Sequence, residues 1–118
     1  MYQSTCHCGA IKIQVLHLPQ RLIQCNCSIC RRYAALWGHY SKHEVCIISD
    51  PGAITEYLWG DKIIKFCHCS NCGCVTHYDA AGDSVDGRVS VNFHMFAPEV
   101  YRDIELRTFD GADTWELL

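Results

Sequence analysis

Nine of the ten cysteines fall into three short clusters: Cys6-His7-Cys8-Gly9, Cys25-Asn26-Cys27-Ser28-Ile29-Cys30, and Cys67-His68-Cys69-Ser70-Asn71-Cys72-Gly73-Cys74. Thiolates at such spacing suit a soft tetrahedral metal ion, above all zinc, which takes four ligands with sulfurs about 2.3 Å from the ion. Cysteines separated by one residue are poorly placed to bridge each other and well placed to share an ion, so metal is favoured over a disulfide framework. Cys6 and Cys8 cannot close a four-ligand shell alone. Cys69 and Cys72 are the best second pair, because a Cys-x-x-Cys-Gly knuckle turns the chain tightly around an ion and Gly73 permits the backbone angles required. Four thiolates with no vacancy make a structural ion.

Cys25, Cys27 and Cys30 then remain as three ligands from one loop. Three protein ligands with an open fourth position is the arrangement of catalytic zinc. The competing reading is a second closed structural ion, with Cys67 or one of His39, His43, His68 and His77 supplying the fourth ligand. Iron or an iron–sulfur cluster would suit the same thiolates. Cys46, in Glu-Val-Cys-Ile-Ile-Ser, reads as a small buried apolar residue.

Composition bounds these readings. The 118 residues carry 49% hydrophobic side chains, with Lys+Arg 10 against Asp+Glu 13 and a formal charge of −3. That length suits one domain with a modest core. The opening residues show neither a basic region nor an apolar signal segment, and no run approaches the roughly 20 residues of a membrane helix. A cytoplasmic location with reduced thiols is therefore expected, and no membrane association. The acidic balance and the lack of a long basic block disfavour nucleic acid as a partner.

The elements that must position the cysteines are short strands. Ile11, Ile13 and Val15 alternate with Lys12 and Gln14, residues 21–25 lead into the central cluster, and 31–35 form a helical turn. Residues 35–41 are extended and aromatic, and 44–49 stop at Asp50-Pro51-Gly52. Residues 54–59 and 62–67 flank Gly60-Asp61 as a hairpin. Residues 74–80 and 88–96 are further strands around a loop over 82–87. A short helix begins near Pro98, and 104–109 precede an Asp110-Gly111 turn. The fold class expected is mainly β: a single, mostly antiparallel domain over 1–118, stapled by metal.

The stretches CHCGAIKIQV, CNCSICRR and CSNCGCVTHY, in this order, resemble the glutathione-dependent formaldehyde-activating family, which includes centromere-protein-V-like proteins. The resemblance runs from Cys6 to about Asn92. It implies an architecture similar to methionine sulfoxide reductase B and two zinc ions per chain. One would be structural, on Cys6, Cys8, Cys69 and Cys72, and one catalytic, on Cys25, Cys27 and Cys30. Cys67 and Cys74 depart from the family pattern, and Cys67 is a possible additional ligand. The activity implied is that of a carbon–sulfur lyase joining glutathione, or another small-molecule thiol, to formaldehyde or a related aldehyde as an S-hydroxymethyl adduct, or the reverse. Three thiolates leave the zinc unit at net −1, which favours capture of the thiol over activation of the carbonyl. Arg31 and Arg32 follow the metal loop and could bind the glutathione carboxylates; the alternative is that both are solvated.

Trp37, His39 and Tyr40 line either a pocket or the core. His77, beside Tyr78 and Asp79, reads as a hydrogen-bonded structural histidine or an acid–base group, and His94 is open in the same way. Trp59 and Phe93 read as packing. The contrasting function is a non-catalytic two-zinc module for protein interaction. A homodimer through an edge strand is compatible with either.

Overall fold

In the computed structural model, residues 1–59, 64–80 and 87–118 are described. The expected turn at Gly60-Asp61, and all but Gly87 of the expected loop over 82–87, lie outside them. Among the described residues, ten strands form two sheets. The smaller contains β1 (Tyr2–Thr5), β2 (Ile11–Val15) and β5 (Val45–Ser49), in the order β1-β2-β5. The larger contains β3 (Arg21–Cys25), β4 (Trp37–Ser41), β6 (Ile54–Trp59), β7 (Ile64–Cys69), β8 (Val75–Asp79), β9 (Arg88–Asn92) and β10 (Glu105–Phe109). Its order is β10-β3-β4-β9-β8-β7-β6. Two short helices, α1 (Cys30–Tyr33) and α2 (Pro98–Tyr101), stand at the expected places.

Alternation explains the stacking of the sheets. On β2, Ile11, Ile13 and Val15 are fully buried while Lys12 is exposed. Ile13 and Val15 meet Leu22 of β3, Tyr40 of β4, Val91 of β9, and Phe93 and Phe96 in the core between the sheets. The other face of the large sheet builds a second core from Ile23, Trp37, Phe66 and Tyr78 with Cys30 and Ala35 of the α1 region. Successive residues on a strand point to opposite faces, so β3 and β4 each feed both cores. A third cluster, with Cys6, Ile11, Ala53 and Cys69, surrounds the first cysteine group.

Two features differ from the sequence expectation. β1 carries no apolar alternation; it is exposed along most of its length and is held by pairing to β2, with Tyr2 opposite Val15. β10 runs parallel to β3, with Leu106 beside Leu22 and Phe109 beside Cys25, whereas every other strand pairing between described residues is antiparallel. A parallel pair needs a long crossover; here the chain travels through the whole domain between the two strands.

Candidate metal centres and cavity

The first cysteine group joins chain segments far apart in sequence. The sulfurs of Cys6, Cys8, Cys69 and Cys72 lie within 4.8 Å of one another. Cys6 to Cys8 is 3.7 Å and Cys8 to Cys69 is 3.5 Å. A disulfide would require about 2.05 Å, whereas the edge of a tetrahedron with arms of 2.3 Å is about 3.8 Å. The donor set and its spacing therefore fit a zinc-type ion. Backbone geometry prepares the thiols: Ile11 N–H donates to Cys6 Sγ at 3.3 Å, and Cys72 N–H to Cys69 Sγ at 3.5 Å. Gly9 and Gly73 close the two knuckles at φ +87° and +80°, a region that side chains other than glycine rarely adopt. The backbone amide of Cys74 holds the Cys72 thiol down to about 5, and the Asn71 side chain lowers Cys8.

The second group hangs between β3 and α1. The sulfurs of Cys25, Cys27 and Cys30 also lie within 4.8 Å of one another. No further Cys, His, Asp or Glu among the described residues joins them at that range. Cys27 N–H donates to Cys25 Sγ at 3.5 Å, and Cys30 N–H to Cys27 Sγ at 3.4 Å. A hydrogen bond from Cys30 brings Cys25 down to about 5, with the amides of Cys27 and Gly111 assisting, and the same bond pushes Cys30 up. Cys25 is thus favoured as the thiolate, one of the deprotonated sulfurs that a metal ligand set requires, and Cys30 as its proton-bearing partner.

Gly111 touches this group from the far end of the chain. A Cβ there would lie 2.8 Å from Cys25 Sγ and 3.1 Å from Cys27 Cβ. Gly111→Ala is therefore expected to displace the trio and weaken its metal affinity by about 10- to 100-fold, the usual size of effect for a group supporting the ligands. Titration with a competing chromophoric chelator would show this, with the affinity of the first group unchanged.

The trio forms part of the wall of a cavity of about 820 Å³ on the outer face of the large sheet. Trp37, Phe66 and Tyr78 form an aromatic floor, with ring centroids 4.9 Å (Trp37–Tyr78), 5.5 Å (Phe66–Tyr78) and 6.2 Å (Trp37–Phe66) apart. Arg31, His39, Arg88, Trp59 and Trp115 also border it. His39 Nδ1 shares a 2.6 Å hydrogen bond with Ser90 Oγ. Burial, helped by the charges of Arg88 and Arg21, pushes His39 down to about 4, so it is neutral near pH 7.

Several sequence candidates stand elsewhere. Arg32 is exposed and donates to the Ser28 carbonyl at 2.6 Å, so only Arg31 of the pair reaches the cavity. The Cys67 sulfur belongs to neither group: it bonds the Lys65 carbonyl, and burial pushes the thiol up to about 12. It neighbours Phe66 on β7, so alternation directs it away from the cavity floor. Tyr40 lies in the inter-sheet core and donates to the His17 carbonyl. His77 is buried against Thr76 Oγ1, while His43 and His94 are exposed and His68 half-buried; none of them joins a cysteine group.

Two packing expectations are corrected. Cys46 is exposed rather than buried, because on β5 it alternates with Val45 and Ile47, which face the core. Trp59 is 44% exposed and borders the cavity, as an edge strand with one open face allows. Phe93 is fully buried, as expected. Sequence reasoning passed over Arg88 and Trp115. Arg88 opens an alternating strand like any solvated residue, and Trp115 follows a turn with no pattern around it.

The fold and its cysteines define a mainly β domain with two groups able to hold metal ions. No family model matches the chain. A Rhodobacter sphaeroides protein, whose crystal structure was determined as a structural-genomics target, is similar to it at 25% sequence identity with a TM-score of 0.71. The match covers 89% of this chain and 99% of that one.

Proposed function

We propose that this chain is a zinc-dependent carbon–sulfur lyase acting on adducts of a thiol, such as glutathione, with formaldehyde or a related aldehyde. The reading joins the resemblance of the three cysteine motifs to the glutathione-dependent formaldehyde-activating family with one observation. That observation is a trio of sulfurs on the wall of a large cavity, with no fourth ligating side chain beside it among the described residues. The first cysteine group, closed by four sulfurs, then has the structural role.

Zinc held by three thiolates would lower the pKa of an arriving thiol, and its net charge of −1 makes it a poor activator of carbonyls. The remaining work falls to the chain. Arg31, beside the trio, offers its guanidinium to a carboxylate of the thiol. The aromatic floor displaces water from the reacting carbon. In the forward direction the thiol S–H bond breaks, an S–C bond forms at the aldehyde carbon, and the proton ends on the former carbonyl oxygen. No electrons are gained or lost, and the reverse reaction retraces the same path. Reduced thiols are the substrates, which suits a cytoplasmic setting.

Cobalt substitution tests the open position. Glutathione added to the cobalt-loaded protein is expected to intensify the sulfur-to-cobalt charge-transfer band and change the visible bands at one of two sites. Spectra that stay unchanged at saturating thiol would overturn the reading.

A further inference from the structure

The cavity extends well beyond the cysteine trio. Ile23 of β3 pairs with Trp37 of β4, so Cys25 lies two residues to one side of that pair and His39 two to the other. Four residues at about 3.3 Å each place the two levels about 13 Å apart along the sheet. Trp37 lies between these levels, and Tyr78 and Phe66 share the level of His39 through Ser90, so the aromatic floor fills the His39 half of the cavity. At the far end are His39, tied to Ser90, and Arg88. Arg31 and Arg88 border the cavity, and no Asp or Glu among the described residues does, although the whole chain carries −3. Neither arginine makes an ion pair among the described residues.

A one-carbon aldehyde would leave most of 820 Å³ unfilled, since cavities of roughly 300–1,000 Å³ match ligands of drug size. Glutathione does not suit the floor either. Its two amides would lie over rings that offer them few partners, and burying an amide without a hydrogen bond is unfavourable. A flat apolar body suits the floor, and a single negative charge suits Arg88, whose planar fork matches a carboxylate.

We propose that the far half of the cavity is a subsite for an aryl or arylalkyl carboxylate, with its ring on Trp37, Phe66 and Tyr78 and its carboxylate at Arg88. Resting on the adduct reading above, this makes the aldehyde half of the substrate an aromatic aldehyde acid rather than formaldehyde. The bond changes are those already given, with the aryl aldehyde carbon in place of the one-carbon centre.

The unreactive probe 3-phenylpropanoate tests the subsite without any thiol chemistry. Quenching of tryptophan fluorescence in the metal-loaded full chain should saturate. Arg88→Gln should weaken binding at least 10-fold, and Arg88→Lys should recover part of the loss. Butanoate, which lacks the ring, should bind at least 10-fold more weakly. Cys27→Ser should bind the probe within about twofold of the parent, which separates this subsite from the cysteine trio. Arg88 is exposed, so its replacement leaves the core untouched; circular dichroism checks that. Absence of saturable quenching, equal binding by Arg88→Gln, or equal binding of butanoate would each overturn the subsite. With the probe bound, silence of the cobalt spectrum toward thiols would remove the lyase reading and the aldehyde assignment while leaving the carboxylate subsite in place.

Discussion

Cys69→Ser is expected to remove the folded state rather than weaken it. Cys69 and Cys6 are each 1% exposed, and both sit in the small cluster with Ile11 and Ala53 that ties the N-terminal segment to the knuckle after β7. Serine there would break a four-sulfur shell and leave a hydroxyl in an apolar site. A structural zinc contributes about 10–16 kcal/mol of apparent binding free energy, whereas domains of this kind are stable by only about 5–15 kcal/mol. Loss of most of that contribution exceeds the margin. Circular dichroism should show no cooperative thermal transition, and metal content should fall toward zero because the second group loses its scaffold. A variant that melts like the parent would remove the structural role from this group.

Cys27→Ser should produce the opposite profile. Of the trio only Cys30 is a buried member of the second core; Cys27 packs half-buried against it, so exchanging its sulfur for oxygen leaves the buried residues of both major cores in place. Metal content is expected to fall by one ion per chain, with the first group still loaded. The melting temperature should drop by roughly 5 °C, corresponding to about 1 kcal/mol for a domain of this size. Thiol–aldehyde adduct formation should fall to the uncatalysed rate, and the cobalt spectrum should lose its response to thiols. Collapse of the fold comparable to that of Cys69→Ser would favour the non-catalytic module instead.

The contrast between these variants follows from what local sequence can and cannot encode. The alternation of Ile11, Ile13 and Val15 marked both the strand and its buried face, and Pro98 marked the start of α2. The Cys-x-x-Cys-Gly knuckle, with its positive φ at Gly73, was equally legible. Strand order was not, because pairing depends on contacts between distant segments. Nothing in Glu105–Phe109 says that it will lie parallel to β3, and so nothing in Asp110-Gly111 says that the turn will press on Cys25. Arg88 carries the same lesson. Its role at the cavity follows from the neighbours that β9 acquires, His39 on one side and the β8 ring of Tyr78 on the other, and those are fixed only by the assembled sheet.

The union of Cys8 with Cys69, 61 residues apart, also bears on how the chain is made. A ribosome delivers the amino-terminal thiols long before the pair that must clasp them. Throughout that interval the small sheet lacks its anchor, and its apolar strands are open to mispairing with other nascent chains. Scarcity of metal during synthesis would thus do more harm than chelation of the finished molecule: the first diverts polypeptide into aggregates, while the second must prise an ion from a closed clasp.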